Sequence, residues 1–510
     1  MIILKPLIEI NTMKQCVTGV DIGTGSVKAV SVNSEGKVVA ACQFYYSAYT
    51  PKPGYSEQDP EIIWLAFVNC INELVKKIQP VPLAISFSSA MHSLLVMDNK
   101  NLAITPLITW ADTRSEKIAE GIRKSKDGQR IYESTGTPIH SMSPLCKIKW
   151  LKENEPQIFK NAFKFISIKE FIWFRLFNTY EVDYSIASAT GLFNIENLKW
   201  NKTSLQLCGI TASHLSDIVP TDFIRNDLNP SATGMLHIAA DTTFCIGASD
   251  GCLANVGSHA MRPGIAALTI GTSGAVRIAG TKKVYNYGAM IFNYVLDKKT
   301  FISGGAVNNG GNVLKWLFET FLHNKNFSES DYDTFFKIIA TIPAGCQGLI
   351  FLPYLYGERA PVWDEKASGV FFGIKSYHNK AHFLRAALEG TCFALKNIIE
   401  IIEDSTVPIT QLNVSGGFVH SKTWMQILAD VCGKKICLEQ TEDASSLGAA
   451  FFYMKAVNII NDNSAIRPHV KTMIEPLGDN HTVYEKYYRV FKTLYGALRD
   501  SMHRLHDINN

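Results

Sequence analysis

Asp250 lies in CIGASDGCLANVG, where an apolar run, TFCI, gives way to Gly, Ala and Ser around one acid. Small neighbours let a hydroxyl-bearing molecule come close to that carboxylate. Transfer of a phosphoryl group to an alcohol needs such a group, to orient the hydroxyl and accept its proton. An Asp in an ordinary loop would look the same. Two further segments suit phosphate: IGTG at residues 22–25, directly after Asp21, and IGTSG at residues 270–274. A turn containing Gly offers successive backbone N–H groups as an anion-binding nest, and the hydroxyls of Thr24 and Thr272 add donors. Two such turns on facing domains could grip a triphosphate from both sides. A carboxylate beside phosphates suits Mg²⁺ held mostly through water, although Asp21 could equally cap its turn. GxxxxGK[ST], a strand-following GxGxxG and the protein-kinase signature set are all absent. Bound nucleotide phosphates would therefore need another device, for which the two Gly-Thr turns are the candidates.

SFSSAMHSLLVMD places Met91 and His92 just beyond a predicted strand, where ligands of α/β sheets sit. In TWADTRS, an extended backbone would point Trp110, Asp112 and Arg114 to one side. An aromatic ring, an acceptor and a forked donor make a polyol-binding set. A core Trp with a surface Asp–Arg pair, and a His satisfied in the core, are the alternatives. GGAVNNGGNVLKWLF and SGGFVHSKTWMQILAD are Gly-rich loops that open helices, and either could come close to a base or ribose.

The elements that must position these residues can be read from period and punctuation. Residues 16–46 read as three strands joined by turns at Gly23/Gly25 and Glu35–Lys37. Asp59 and Pro60 read as the N-cap and first residue of a helix whose apolar face carries Ile63, Phe67, Ile71, Leu74 and Ile78. LAISFSS reads as a buried strand. Strands alternating with helices predict an α/β sheet covered by helices. The two Gly-Thr turns lie 248 residues apart, about half the chain, each between two apolar strands. Two similar α/β domains facing one another is the inference. Aromatic and apolar residues at helical spacing from His481 to His506 predict an amphipathic C-terminal helix packed on the second domain.

Composition narrows the class. Of 510 residues, 46% are hydrophobic and 19% charged, and the net charge of +4 is spread without Lys/Arg runs. That argues for well-packed cores and against a nucleic-acid arm or a polybasic membrane patch. The eleven Cys form no CxxC pair, and Cys432 and Cys437 lack the spacing of a zinc site, so reduced thiols in a cytoplasmic protein fit. No membrane span or signal peptide is evident, and residues 1–12 read as a leader that can be disordered, with Met13 as a candidate start.

Taken together, these segments resemble the FGGY family of carbohydrate kinases, in the family's order, from about Cys16 to past Gly448. MSPLCKIKWLKEN and GVFFGIKSYHNKAHFLRAALE are similar to its two signatures. The resemblance implies two actin-like, ribonuclease-H-type α/β domains related by duplication, residues 13–254 and 255–510, with an ATP/sugar cleft between them. It implies Asp250 as general base, and Asp21 and Asp250 near Mg²⁺. Thr24, Gly271, Thr272, Gly311, Lys315, Gly417 and Ser421 would contact ATP, and Met91, His92, Trp110, Asp112, Arg114 and Lys147 the sugar. SFSSAMHS, TWADTRS, GTPIHSMSPLCK and DYSIASATGLFN are most similar to the gluconate-kinase branch, which implies D-gluconate as acceptor. Arg114, Lys147, His92 and His140 are then candidate partners for the carboxylate. A xylulokinase, or more remotely a non-catalytic actin-like sugar sensor, is the alternative. No nucleic-acid or membrane partner is expected, and a homodimer would be in keeping with the family.

Overall fold

The computed structural model describes residues 16–78, 84–322, 329–439, 443–460 and 470–509. The leader and Met13 lie outside the described residues. The first strand, Cys16–Ile22, is buried at every position but Asp21, as its apolar, β-branched run requires. It pairs antiparallel with Ser26–Asn33, which pairs antiparallel with Val38–Tyr45. Its other edge runs parallel to Ala84–Ser89, which runs parallel to Thr243–Ser249. Ile224–Arg225 closes this six-stranded sheet. The predicted helix forms over Pro60–Lys77, with Asp59 Oδ1 accepting from Glu61 N at 2.8 Å. Its buried residues Ile63, Phe67, Ile71 and Leu74 join Val20, Ile22 and Ile85 of the sheet in one core.

The second half repeats the plan. Ile265–Ile270 pairs antiparallel with Gly274–Gly280, which pairs antiparallel with Phe301–Val307. The first of these runs parallel to Gln411–Ser415, and that strand parallel to Lys435–Glu439. Each sheet thus has an antiparallel meander whose first strand adjoins two successive parallel strands. This is the duplicated α/β plan that the repeated turn implies, and it agrees with the actin-like domain pair that the family resemblance implies. Helix Lys380–Glu403 and the C-terminal helix Gly478–Asn509 cover the second sheet. Tyr484, Tyr488, Phe491 and Leu494 are buried there, and Tyr484 Oη donates to Glu389 Oε1 at 2.7 Å. Among the described residues no helix is long and apolar enough to cross a membrane, and none of the eleven cysteines forms a disulfide.

The expected division between residues 254 and 255 falls inside one helix, Asp250–Gly257. That helix crosses Ala444–Ala456 of the second half at very short range. A Cβ on Gly257 would lie 1.9 Å from Ala444 O, and one on Gly448 would lie 1.9 Å from Leu253 O. The crossing brings the second half against the strand that carries Asp21, since a Cβ on Gly19 would lie 1.7 Å from Ser446 O. We expect Gly448→Ala to cost about 1–3 kcal/mol through overpacking, read as a lower urea midpoint. Gly496→Ala, on the C-terminal helix with nothing within 4 Å, should leave the midpoint unchanged or raise it. Equal effects from the two would contradict the close crossing.

Candidate active site

Both sheets end their parallel strands at one cavity of about 340 Å³ between the two halves. Asp21 enters it from the first strand, Asp250 from the start of helix Asp250–Gly257, Thr269 from the first strand of the second sheet, and Asp443 from the segment before helix Ala444–Ala456. The two Gly-Thr turns immediately follow the strands that bear Asp21 and Thr269. A larger cavity, about 450 Å³, opens near Tyr184, Asp222, Lys299 and Lys455. It contains none of the acids that the sequence singled out.

Asp250 is fixed by its neighbours rather than by its own loop. Ser249 caps the helix and exchanges hydrogen bonds with Ser185, at 2.8 Å between hydroxyls and 3.1 Å from Ser249 N to Ser185 Oγ. Ser185 N donates to Asp183 Oδ1 at 2.9 Å. Asp183 Oδ2 is paired with buried Lys169 at 2.7 Å, and Lys169 also donates to Ala248 O at 3.1 Å. The DYSIASATG segment is therefore the brace of the strand that delivers Asp250. Asp250 Oδ1 accepts from Gly251 N at 2.6 Å, which orients the carboxylate.

Asp21 Oδ1 accepts from Ser88 Oγ at 2.6 Å, across the parallel strand pair. Burial and the nearby charge of Asp250 push its carboxyl up to about 7. Burial also raises Asp250, opposed by the Arg277 guanidinium. Asp443 is ion-paired to Lys28. Among the described residues no cluster of three His, Cys, Asp or Glu could cage a metal directly. Two carboxylates that repel one another at an open cavity could instead hold a divalent ion that keeps most of its water.

The two turns differ in their surroundings. Thr24 Oγ1 accepts from Trp110 Nε1 at 2.9 Å, and Thr24 O accepts from Gln58 Nε2 at 2.6 Å. Gly271 and Thr272 are exposed, and their carbonyls accept from Gly311 N at 2.7 Å and Asn312 N at 3.2 Å. The start of helix Gly311–Phe321 is thereby locked to the second turn. Lys315 points to solvent, 3.9 Å from Glu319. Gly417 is open, with nothing within 4 Å of its Cβ position, whereas Gly416 (φ 100°) lies against Ile270 O. Ser421 is occupied as the cap of helix Lys422–Cys432, accepting from Trp424 N at 3.1 Å.

On the opposite side, the expected extended TWADTR segment is a turn. Asp112 accepts from Arg114 Nε and Nη2 at 2.9 and 2.7 Å and from Ser56 N at 2.7 Å, and Arg114 also pairs with Glu57 at 2.5 Å. The Arg114 guanidinium stacks 3.7 Å from the centre of the Tyr55 ring. Asp112 and Arg114 thus hold each other and do not share a face with Trp110. Lys147 is fully buried and donates to His92 O at 2.6 Å and Thr109 O at 2.7 Å, so it ties the two segments together. Burial lowers its pKa to about 7. His92, at φ 66°, lies between Ala189 O at 2.7 Å and Tyr294 Oη at 3.1 Å. Burial and the Lys147 charge keep it neutral down to about 3. Met91 reaches the Asp250 helix, since a Cβ on Gly251 would lie 3.1 Å from Met91 Cε and 3.3 Å from Arg277 Nε.

Sequence reasoning missed Arg277, Asp443, Ser88 and the Lys169–Asp183 brace. For Arg277 a signal was present, a lone cation in the apolar strand GAVRIAG. The others depend on strand neighbours far apart in the chain.

The chain matches the N-terminal domain of the FGGY family of carbohydrate kinases over residues 16–257 and its C-terminal domain over residues 266–457. It is 38% identical to a gluconokinase of Bacillus subtilis over 504 residues, 97% of this chain and 98% of that one. A gluconate kinase from Lactobacillus acidophilus superposes with a TM-score of 0.92 at 33% identity, covering 96% of this chain and all of the other. A ligand-bound xylulose kinase from the same organism gives the same values, 0.92, 33% and 96%. The chain belongs to the FGGY family of carbohydrate kinases.

The raised carboxyl of Asp21 gives a test of this geometry. Its folded pKa of about 7 exceeds the ordinary 3.8, so folding favours the protonated form. The stability that this group contributes is complete below about pH 4 and is lost as pH rises through about 7. Without divalent ions, Asp21→Asn should melt higher than the parent protein at pH 8 and together with it at pH 4. A pH-independent difference between the two would contradict the buried like-charge arrangement.

Proposed function

We propose that this kinase transfers the γ-phosphoryl group of ATP to the terminal hydroxyl of D-gluconate, with Asp250 as general base. The observation that carries the reading is the pair Asp21 and Asp250, brought from both ends of the N-terminal domain to a cavity flanked by two Gly-Thr turns. The similarity to gluconokinases over nearly the whole chain supports gluconate as acceptor.

In this reading the backbone N–H groups and hydroxyls around Thr24 and Thr272 face the triphosphate, Gly417 leaves room for the nucleoside, and Gly311 serves by packing its helix start against the Gly271 carbonyl. Lys315 lies on the solvent side of the same helix, and Ser421 serves by fixing the helix beside it. Met91, His92 and Trp110 line the acceptor side. Lys147 positions the segments that carry them, and the Asp112–Arg114–Glu57 cluster fixes the turn that follows Trp110. Asp250 accepts a hydrogen bond from the acceptor hydroxyl and takes its proton as the new P–O bond forms. Its raised pKa suits a base that must gain a proton and then release it. Asp21 and Asp250 would hold Mg²⁺ through its waters, and the ion would offset charge on the phosphates. Closure of the halves would exclude water and suppress idle hydrolysis of ATP. A reducing cytoplasmic setting is in keeping with eleven cysteines that form no disulfide.

Phosphorylation of a neutral pentulose is the second reading, favoured by the equal likeness to the xylulose kinase structure. The test is ATP-dependent ADP release with Mg²⁺ and D-gluconate, D-xylulose, L-ribulose, glycerol or no acceptor, for the parent protein and Asp250→Asn. We expect strong release with gluconate alone. The variant should lose about 10²–10⁴-fold in kcat while ATP binding persists. Release with D-xylulose alone would replace the acceptor, and near-normal turnover by the variant would remove Asp250 from its role.

A further inference from the structure

A gluconate-like acceptor carries a carboxylate at the end opposite its reacting hydroxyl, and a half-buried carboxylate needs a cation. The four basic residues that the sequence offered are already committed. Arg114 serves Asp112 and Glu57, and Lys147 serves two backbone carbonyls. His92 is satisfied at both ring nitrogens. His140 accepts from Met142 N at 3.2 Å and lies 3.4 Å from Glu365. Burial and the neighbouring Arg359 charge keep His140 neutral down to about 3.

Arg359 is different. It comes from the second domain, in the loop YGERAP, and is 9% exposed. Nη2 donates to Val307 O at 3.1 Å, while Nε is sealed from water without a partner. The adjacent acid does not neutralise it through a side-chain contact. Glu358 is spent on backbone N–H groups of Asn308 and Arg359 and on the Asn309 amide. The guanidinium lies 5.5 Å from the centre of the Trp110 ring. Its charge is also felt by His92, His140 and Tyr294, so it belongs to the acceptor side of the cleft. The other under-partnered guanidinium, Arg277, lies with Asp21 and Asp250 at the reacting end. A cation buried with an unmade hydrogen bond is costly, and a planar fork beside an aromatic ring is matched by a carboxylate.

We propose that Arg359 is the residue that recognises the carboxylate of the acceptor, so that the sugar acid bridges both domains and is selected by its charge. The proposal rests on the acceptor reading given above. It makes the second domain a determinant of acceptor choice, through a residue outside both Gly-Thr turns.

The test compares binding of D-gluconate and of D-glucitol, its neutral analogue, to the full-length protein by calorimetry, with turnover on D-gluconate measured alongside. The parent protein should prefer gluconate by about 10–100-fold, the range of a hydrogen bond to a charged group. Arg359→Met should remove that preference by weakening gluconate alone. Arg359→Lys should restore part of it, because charge remains but the fork is lost. Arg359→Gln, closer in shape and polarity, stands in if the Met variant melts early. Equal weakening of both ligands, or none, would overturn the assignment of Arg359 while leaving gluconate turnover by the parent protein intact. Absence of any gluconate turnover by the parent protein would overturn the acceptor reading itself, and the Arg359 assignment with it.

Discussion

Asp21 and Asp250 are acids that face the same cavity from the ends of the two strands that flank Ala84–Ser89, and burial makes each a poorer anion than it would be in water. Left alone, such a pair opposes folding. It persists because the chain surrounds it with groups that fix each carboxylate separately, Ser88 on one and the Gly251 amide on the other. The parallel run of Cys16–Ile22, Ala84–Ser89 and Thr243–Ser249 is what brings residues 21, 88 and 250 to one edge. The Lys169–Asp183–Ser185–Ser249 chain then holds the last of those strands in place. Buried, mutually perturbed carboxylates of this kind are a common mark of a functional site.

The second half is positioned by contact rather than by a tether. Gly257, Gly448 and Gly19 let two helices and a strand meet at backbone distance, which sets the first turn, the second turn and Asp443 around one space. The Trp110–Thr24 hydrogen bond links the TWADTR segment to the first turn. Lys147 links the segment carrying His92 to the one carrying Trp110. Changes on one side of the cleft can therefore reach the other through a few short contacts.

Much of this was legible in the sequence, and the reason is locality. The meander, its turns, the Asp59-capped helix and the C-terminal helix follow from period and punctuation within short windows. The repeated IGTG and IGTSG turns disclosed the duplication because each sits between the first two strands of its own sheet. Asp21 and Asp250 were marked by small neighbours at the ends of apolar runs. What failed was inference of direction. Asp112 and Arg114 were placed on one face with Trp110, but Glu57 and Ser56, more than fifty residues earlier, bend that segment into a clamp. Lys147 read as a free cation until two carbonyls claimed it. Arg359 and Asp443 gain their meaning only from the other domain, which no local pattern can report.

The central claim, transfer of phosphate from ATP to the terminal hydroxyl of a sugar acid in this cleft, is tested most directly by identifying the product. The purified protein would be incubated with ATP, Mg²⁺ and D-gluconate, and the mixture followed by ³¹P and ¹³C NMR. A new phosphate monoester coupled to C6 of gluconate, formed together with ADP and absent with Asp250→Asn, is the predicted result. ADP with free inorganic phosphate and no ester, or no ADP at all, would contradict it.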